Sequence, residues 1–297
     1  MPEAPDVEAY CAALRPKVVD QPLQGVRLIS PFFLRSFEPP IETLDGRHVR
    51  RVDRLGKRIV FELDGELFAV IHLMIAGRFR WLATGKHLPR KLGLAEFDFP
   101  TGTLGITEAG TKRRASLHLV ADRAGLATHD RGGIDPLAAD VSQFAEALRR
   151  ENHTLKRSLT DPRLFSGIGN AYSDEILHAA RLSPIVWTSR LSHEEIARLH
   201  AATIETLSRW TATLTTQFLR KFPGAGDVTA FREDFAVHGR YGKPCPVCAA
   251  PVQRIRYADN ETNYCANCQT GGKLLADRSL SRLLKEDWPR TIGELEG

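Results

Sequence analysis

Four of the five cysteines fall in two pairs, Cys245-Pro-Val-Cys248 and Cys265-Ala-Asn-Cys268, with sixteen residues between them. Each pair puts two thiolates on one tight turn, and two such knuckles close a tetrahedron around Zn2+. Four thiolates leave no open coordination position, so one structural zinc is expected. Binding of this kind supplies about 10–16 kcal/mol at neutral pH, which is what folds so small a module. The insert from Ala249 to Tyr264 is predicted to be a β-hairpin, with Arg254 and Arg256 alternating with Val252, Ile255 and Tyr257. Such a cationic face either lies along a phosphate backbone or is the solvated face of a protein-binding ribbon. Cys11 stands apart on an apolar helix face and reads as a small buried hydrophobe.

The start, Met1-Pro2-Glu3, offers different chemistry. If Met1 is excised, Pro2 carries a free secondary amine. Amines attack sugar carbons only when unprotonated. A typical α-amino group has a pKa of about 7.7–8.0 against about 10.4 for lysine, although proline is intrinsically more basic than other α-amines. A helix beginning near Pro5 points its positive end back at Pro2 and favours the neutral amine. Glu3 opposes that through its charge but can shuttle a proton. Lys57, in Leu55-Gly56-Lys57-Arg58, opens a strand after a glycine turn. It is either a solvated sheet-edge lysine or a phosphate and proton-transfer contact near the amine.

A third constellation is Phe165-Ser-Gly167-Ile-Gly169-Asn170, which opens a helix running through Glu175. The glycines permit a tight turn with exposed N–H groups, and the helix N-terminus suits a phosphate. Asn170 can donate from its side chain, and Lys156 and Arg157 on the preceding element can converge there. The dinucleotide-binding reading fails, because Thr154 to Leu164 reads as helix rather than strand and no third glycine follows on schedule.

These groups need a scaffold. The chain has 297 residues, 42% of them hydrophobic, enough for more than one core. No apolar run reaches the length of a membrane span, and the N-terminus lacks the apolar stretch of a signal peptide, so a cytoplasmic protein is expected. The net charge of +5 is a weak pointer to a polyanionic partner. Residues 5–18 carry a helical apolar period. Short runs rich in β-branched and aromatic residues follow: Val26–Ile29, Ile59–Leu63, Phe68–Leu73, Phe79–Leu82 and Leu117–Val120. They predict an antiparallel β domain, sandwich or barrel-like. From Pro136 to Arg220 the period is helical, with turns at Asp161-Pro162 and Ser183-Pro184, and 222–240 reads as a loop.

Taken in order, Pro2-Glu3, Lys57, the Gly167-Ile-Gly169-Asn170 turn with Glu175, and the closing cysteine module resemble the formamidopyrimidine-DNA glycosylase/endonuclease VIII family over about residues 2 to 270. The resemblance implies an α+β multidomain fold. Its parts would be an N-terminal antiparallel β-sandwich (1–133), a helix–two-turns–helix domain (134–230), a four-cysteine zinc finger (231–270) and a C-terminal extension (271–297), with DNA between the domains. It implies a glycosylase with abasic-site lyase activity on double-stranded DNA holding an oxidised base or an abasic site, acting as a monomer. Pro2 would attack C1′ and form a Schiff base, Glu3 would serve the opening sugar, and Lys57 would touch phosphate and assist proton transfer. Lys156, Gly169 and Asn170 would hold phosphates, and the target base would be flipped from the stack.

Several positions depart from that pattern. The family's finger carries an arginine five residues before the third cysteine, tied to the second elimination step; Asn260 stands there. The family's His-Leu-Gly-Met stretch reads His72-Leu73-Met74-Ile75, so Ile75 replaces the methionine that fills the hole left by the flipped base. The Arg-Phe-Gly wedge is missing, and Arg113, in Lys112-Arg113-Arg114-Ala115-Ser116, is the candidate stand-in. Past Cys268 the chain continues with Leu274, Leu275, Leu280, Leu283 and Leu284, flanked by Arg278, Arg282 and Lys285, as a short helix packing on the finger or an added DNA contact. Ring-opened purines and 8-oxoguanine are the first expected substrates and oxidised pyrimidines the second. A damage-binding protein with weak or no excision is the alternative, and a zinc-ribbon regulator with an unrelated N-terminal domain a more distant one.

Overall fold

The structure, a computed structural model, describes residues 1–110, 112–224, 226–257, 260–276 and 289–295. The chain divides into two compact units, Met1–Arg131 with Arg209–Thr229, and Gly132–Ser208 with Ala230–Gly297. No helix among the described residues is long and apolar enough to cross a membrane.

The first unit opens with α1 (Ala4–Val18), which has Pro5 in its first turn, where a missing N–H costs nothing. Eight strands follow: β1 (Gly25–Leu28), β2 (Val49–Leu55), β3 (Arg58–Leu63), β4 (Leu67–His72), β5 (Gly77–Leu82), β6 (Gly93–Phe99), β7 (Gly102–Glu108) and β8 (Ser116–Ala121). They form two four-stranded sheets in the orders β1-β6-β7-β5 and β2-β3-β4-β8, every pairing antiparallel. The period of two along β3 sends Phe61 inward, where it stacks on Phe97 of the other sheet with ring centroids 6.5 Å apart. Val60, Phe68 and Val70 point the other way and pack with Leu126 of a short helix, α2 (Asp122–Ala127). The sequence reading anticipated five of these strands. It passed over β2, β6 and β7.

Tyr10 fastens α1 into this unit. It is fully buried, with its ring 5.2 Å from that of Phe79 and 5.6 Å from that of Phe218. Arg15 adds a hydrogen bond of 2.9 Å to the Val52 carbonyl of β2. Cys11 is fully buried, as expected, and burial pushes its thiol far above the ordinary range.

The second unit is helical: α3 (Val141–Arg149), α4 (Leu155–Thr160), α5 (Asn170–Ala179) and α6 (His193–Arg220), the last running on into the first unit from Arg209. Asp140 caps α3, its carboxylate accepting from Gln143 N while the Gln143 side chain reaches back. The helix expected over Thr154–Leu164 ends at Thr160, because Pro162 forbids the α conformation at Asp161, which lies extended. The hairpin β9 (Gln253–Tyr257) and β10 (Asn260–Tyr264) and a last helix, α7 (Ala266–Thr270), complete the unit, with 222–240 free of helix and strand among its described residues.

Replacing Tyr10 with alanine should lower the unfolding free energy by about 3–5 kcal/mol, the usual cost of an aromatic cavity. A urea titration followed by circular dichroism measures it, and a shift of a few tenths of a kcal/mol would show that α1 is held elsewhere.

Candidate functional site

At the amino end, Met1 is 38% exposed while Pro2 and Glu3 are buried. Glu3 is the N-cap of α1, and its backbone N–H donates to the Asp6 carboxylate at 3.0 Å, so the Pro2–Glu3 peptide is pinned. Burial pushes the Met1 amine below its ordinary range. Glu3 and Asp6 oppose that shift, and Arg78 and Lys57 reinforce it. The Met1 amine is therefore biased toward its neutral form.

Lys57 is one of two residues at the tip of the β2–β3 hairpin, where Leu55 pairs with Arg58, and Gly56 supplies the φ of +61° that the turn requires. It is thus a turn residue rather than the first residue of a strand. His72, at the end of β4, lies beside this tip. Burial, with the charges of Arg58 and Lys57, brings its imidazole down to about 4, and its buried Nε2 has no hydrogen-bond partner. The turn that follows puts Met74 at φ +53°, a left-handed conformation occupied at some cost where the family pattern has glycine. Ile75, at its crest, is 61% exposed. Arg113 is exposed, bonded to the Lys91 carbonyl, and lines a concavity with Phe32 and Arg35. Its loop is held by buried Glu108, which accepts from Arg114 N and Ala115 N at 3.1 Å each.

In the second unit the glycine turn delivers Asn170 as the first residue of α5, with Gly169 as N-cap. Lys156 reaches this turn as expected, and its ammonium donates to the Asn170 carbonyl and to Asp174 Oδ1, each at 2.6 Å. The Asn170 side chain is already engaged, donating to the Glu261 carbonyl of β10 at 3.0 Å. The sequence reading had offered that donor to phosphate. One ammonium hydrogen of Lys156 and one amide hydrogen of Asn170 remain beyond these bonds.

Asp174 and Glu175 are the residues that sequence reasoning undervalued. Asp174 Oδ2 accepts from His238 Nδ1 at 2.7 Å and from Asn263 N at 3.1 Å. Glu175 accepts from the backbone N–H groups of Ala236, Val237 and His238 at 2.7–2.9 Å. Burial pushes the Glu175 carboxyl up against these three donors. The signal available in the sequence was two adjacent acids on the buried side of a helix, which demand partners.

The four cysteine sulfurs lie within 4.8 Å of one another, with Cys248–Cys265 at 3.4 Å and Cys245–Cys268 at 3.9 Å. Zn–S bonds of about 2.3 Å in a tetrahedron require S···S edges of about 3.8 Å, so the set fits zinc. His178 places Nε2 3.3 Å from the Cys245 sulfur, a donor suited to a thiolate. Asn260 opens β10 opposite Tyr257 and is exposed. Arg254 lies 4.0 Å over the Tyr241 ring and 3.6 Å from Glu261. After the finger, Leu274 N bonds the Arg290 carbonyl, Leu275 N donates to the Tyr264 hydroxyl, and Leu274, Leu275 and Ile292 pack on the finger core. The expected helix through Leu280, Leu283 and Leu284, with Arg278, Arg282 and Lys285, lies outside the described residues.

Three family models match in the order of these parts. They are the formamidopyrimidine-DNA glycosylase N-terminal domain over residues 1–120, its H2TH domain over 133–217, and a zinc finger found in such glycosylases and isoleucyl-tRNA synthetase over 242–271. The formamidopyrimidine-DNA glycosylase of Thermus thermophilus is 35% identical over 284 residues, covering 92% of this chain and all of that one. The chain belongs to the formamidopyrimidine-DNA glycosylase family. The Variovorax paradoxus member is 33% identical over 91% of this chain and 100% of its own length. Among solved structures, the Lactococcus lactis glycosylase bound non-covalently to DNA with an abasic site superposes with a TM-score of 0.78 at 25% identity, covering 90% of this chain and 99% of that one. The same glycosylase in complex with DNA containing an oxidised pyrimidine gives 0.77 at 26%, covering 91% and 100%. Membership accounts for the β-sandwich, the H2TH helices and the zinc finger together.

Stripping zinc with a strong chelator should release the bonds from β10 to Asn170 and Asp174. Hydrogen exchange checks this: amides of 253–257 and 260–264 should lose protection while those of β1–β8 keep theirs. Retained protection in the hairpin would mean that the metal is not what folds the finger.

Proposed function

We propose that this chain is a cytoplasmic, monomeric glycosylase and abasic-site lyase that removes oxidised bases from double-stranded DNA, with ring-opened purines and 8-oxoguanine as first substrates. The observation that carries the reading is the environment of the amino terminus. The Met1 amine is pressed toward neutrality by burial, with the charges of Arg78 and Lys57 adding to the effect, and excision of Met1 would leave the Pro2 nitrogen in that neighbourhood on a pinned Pro2–Glu3 peptide. The named binding partners of its relatives, abasic and oxidised DNA, agree with it.

In this reading Met1 is removed and the Pro2 nitrogen attacks C1′. The C1′–base bond breaks, the base leaves with a proton, and the sugar ring opens as the iminium forms. Glu3 handles the proton at the ring oxygen. Loss of the C2′ proton then expels the 3′ phosphate, completing β-elimination. Lys57 supplies a donor to phosphate on the first unit, and the remaining hydrogens of Lys156 and Asn170, with the Gly169 turn, do so on the second. Asn260 offers no charge for the second elimination, so the product is expected to stop at the β stage. A second reading, a lesion-binding protein with weak excision, draws support from Asn260 and exposed Ile75. In it Arg113 and Asn260 contact DNA without helping chemistry.

Borohydride should trap a covalent adduct with abasic duplex, and Pro2→Gly should reduce trapping at least a hundredfold; full trapping by that variant would remove Pro2 as nucleophile. Because only the neutral amine reacts, the trapping rate should fall as pH drops through its pKa. Lys57→Gln removes a cation that favours neutrality, so the acidic limb of the pH–rate curve should move to higher pH.

Asn260→Arg should add β,δ-elimination product, read from the 3′ ends on a sequencing gel. An unchanged product ratio would separate that step from this position.

A further inference from the structure

One side of the second sheet carries a cluster that the chemistry above does not use. Residues opposite one another in a sheet share a face, and alternate residues return to it. Val60 pairs with Val70 and Val70 with His118, while His72 pairs with Ser116. Arg58, His72 and His118 therefore stand on one face, beyond the apolar patch that α2 covers. His129, just after α2, brings its ring to 4.9 Å from that of His118. Arg131 follows two residues later, and Arg35 approaches from the segment bridged to β8 at Leu34 and Leu117.

The guanidinium of Arg58 is the odd member. It is half-buried, yet no hydrogen bond or ion pair joins it to any described residue. A half-buried cation has lost part of its hydration, which an anion or acceptor would replace. Its neighbours make matters worse rather than better. Arg131 opposes its charge, Asp130 alone among the carboxylates acts in its favour, and the two imidazoles are held uncharged chiefly by burial, with Arg58, Arg35 and Arg131 adding to the effect. Asp130 apart, the arrangement gathers cations and imidazoles with no further carboxylate among the described residues acting on Arg58.

We propose that Arg58, His118, His129 and Arg131 form a seat for a backbone phosphate of the bound DNA, on the first unit and separate from the contacts of Lys57. The proposal rests on the DNA-repair reading above. A phosphate between these groups gives the Arg58 fork the acceptor it lacks. It also reverses the local electrostatics, because an anion at the imidazoles favours their charged form. Binding therefore takes up protons, and affinity is greater at lower pH.

The test measures binding of a labelled abasic-site duplex to the full-length zinc-loaded protein by fluorescence anisotropy, at several salt concentrations and at about pH 6 and about pH 8, which bracket imidazole titration. Arg58→Gln should weaken binding about tenfold and lower the slope of log K against log salt by about 0.9, the loss of one phosphate contact. Arg131→Gln, at an exposed position that should not affect folding, should change both in the same direction. The His118→Gln/His129→Gln double variant should bind with less pH dependence than wild type. Unchanged affinity and slope in both arginine variants would overturn the proposal. Borohydride trapping by the wild type, run in parallel, reports on the parent reading. Trapping with no effect of the arginine variants rejects the seat alone, and absence of both binding and trapping by the wild type rejects the reading on which it rests.

Discussion

The pair of adjacent buried carboxylates on α5 governs the second unit. Asp174 and Glu175 cannot sit in an apolar interior without partners, and the partners they take are drawn from far along the chain: Lys156 from α4, the backbone of 236–238, the His238 ring and Asn263 of β10. Each bond satisfies a charge that burial would otherwise penalise by several kcal/mol. Together they fix the glycine turn against the hairpin, so the loop that presents Asn170 and the finger that presents Asn260 are set by one network. Asn263 extends it, accepting from Gly239 N at 2.8 Å. Zinc closes the other end of the same construction, with His178 of α5 reaching the Cys245 sulfur.

A different constraint organises the first unit. Its amino terminus is held by the helix that follows it. Tyr10, among aromatic rings, anchors α1, and Asp6 holds the amide of Glu3 at the head of that helix. The β2–β3 hairpin then brings Lys57 close enough for its charge to be felt at the terminal amine. The position of the Pro2–Glu3 peptide thus follows from burial and backbone geometry.

Much of this could be read from residue types and spacing, and what escaped has physical reasons. The zinc ligands were legible because two CxxC knuckles have few other uses, and the hairpin between them followed from the spacing. Strand β2, Val-Arg-Arg-Val-Asp-Arg-Leu, escaped because its solvated side is almost wholly charged and only Val49 and Val52 are fully buried. Strands β6 and β7 were hidden by glycine, threonine and acids that the fold buries, among them Glu96 and Glu108, whose carboxylates meet backbone N–H groups no local pattern reveals. The sequence offered the Asn170 side chain to phosphate, and in the structure that side chain is bonded to the finger. A residue's donor capacity is visible in sequence, whereas its prior commitments are not.

The return of the chain over its own finger has a consequence for how this family member can be rearranged. Leu274, Leu275 and Ile292 close an apolar floor made by Val252, Ile255 and Tyr264, and the Tyr264 hydroxyl is spoken for by the Leu275 amide. The metal-binding knuckles are consequently not a self-sufficient cassette. Any graft or exchange cut after Cys268 would leave greasy surface bare to water, so the transplantable unit extends at least to Ile292.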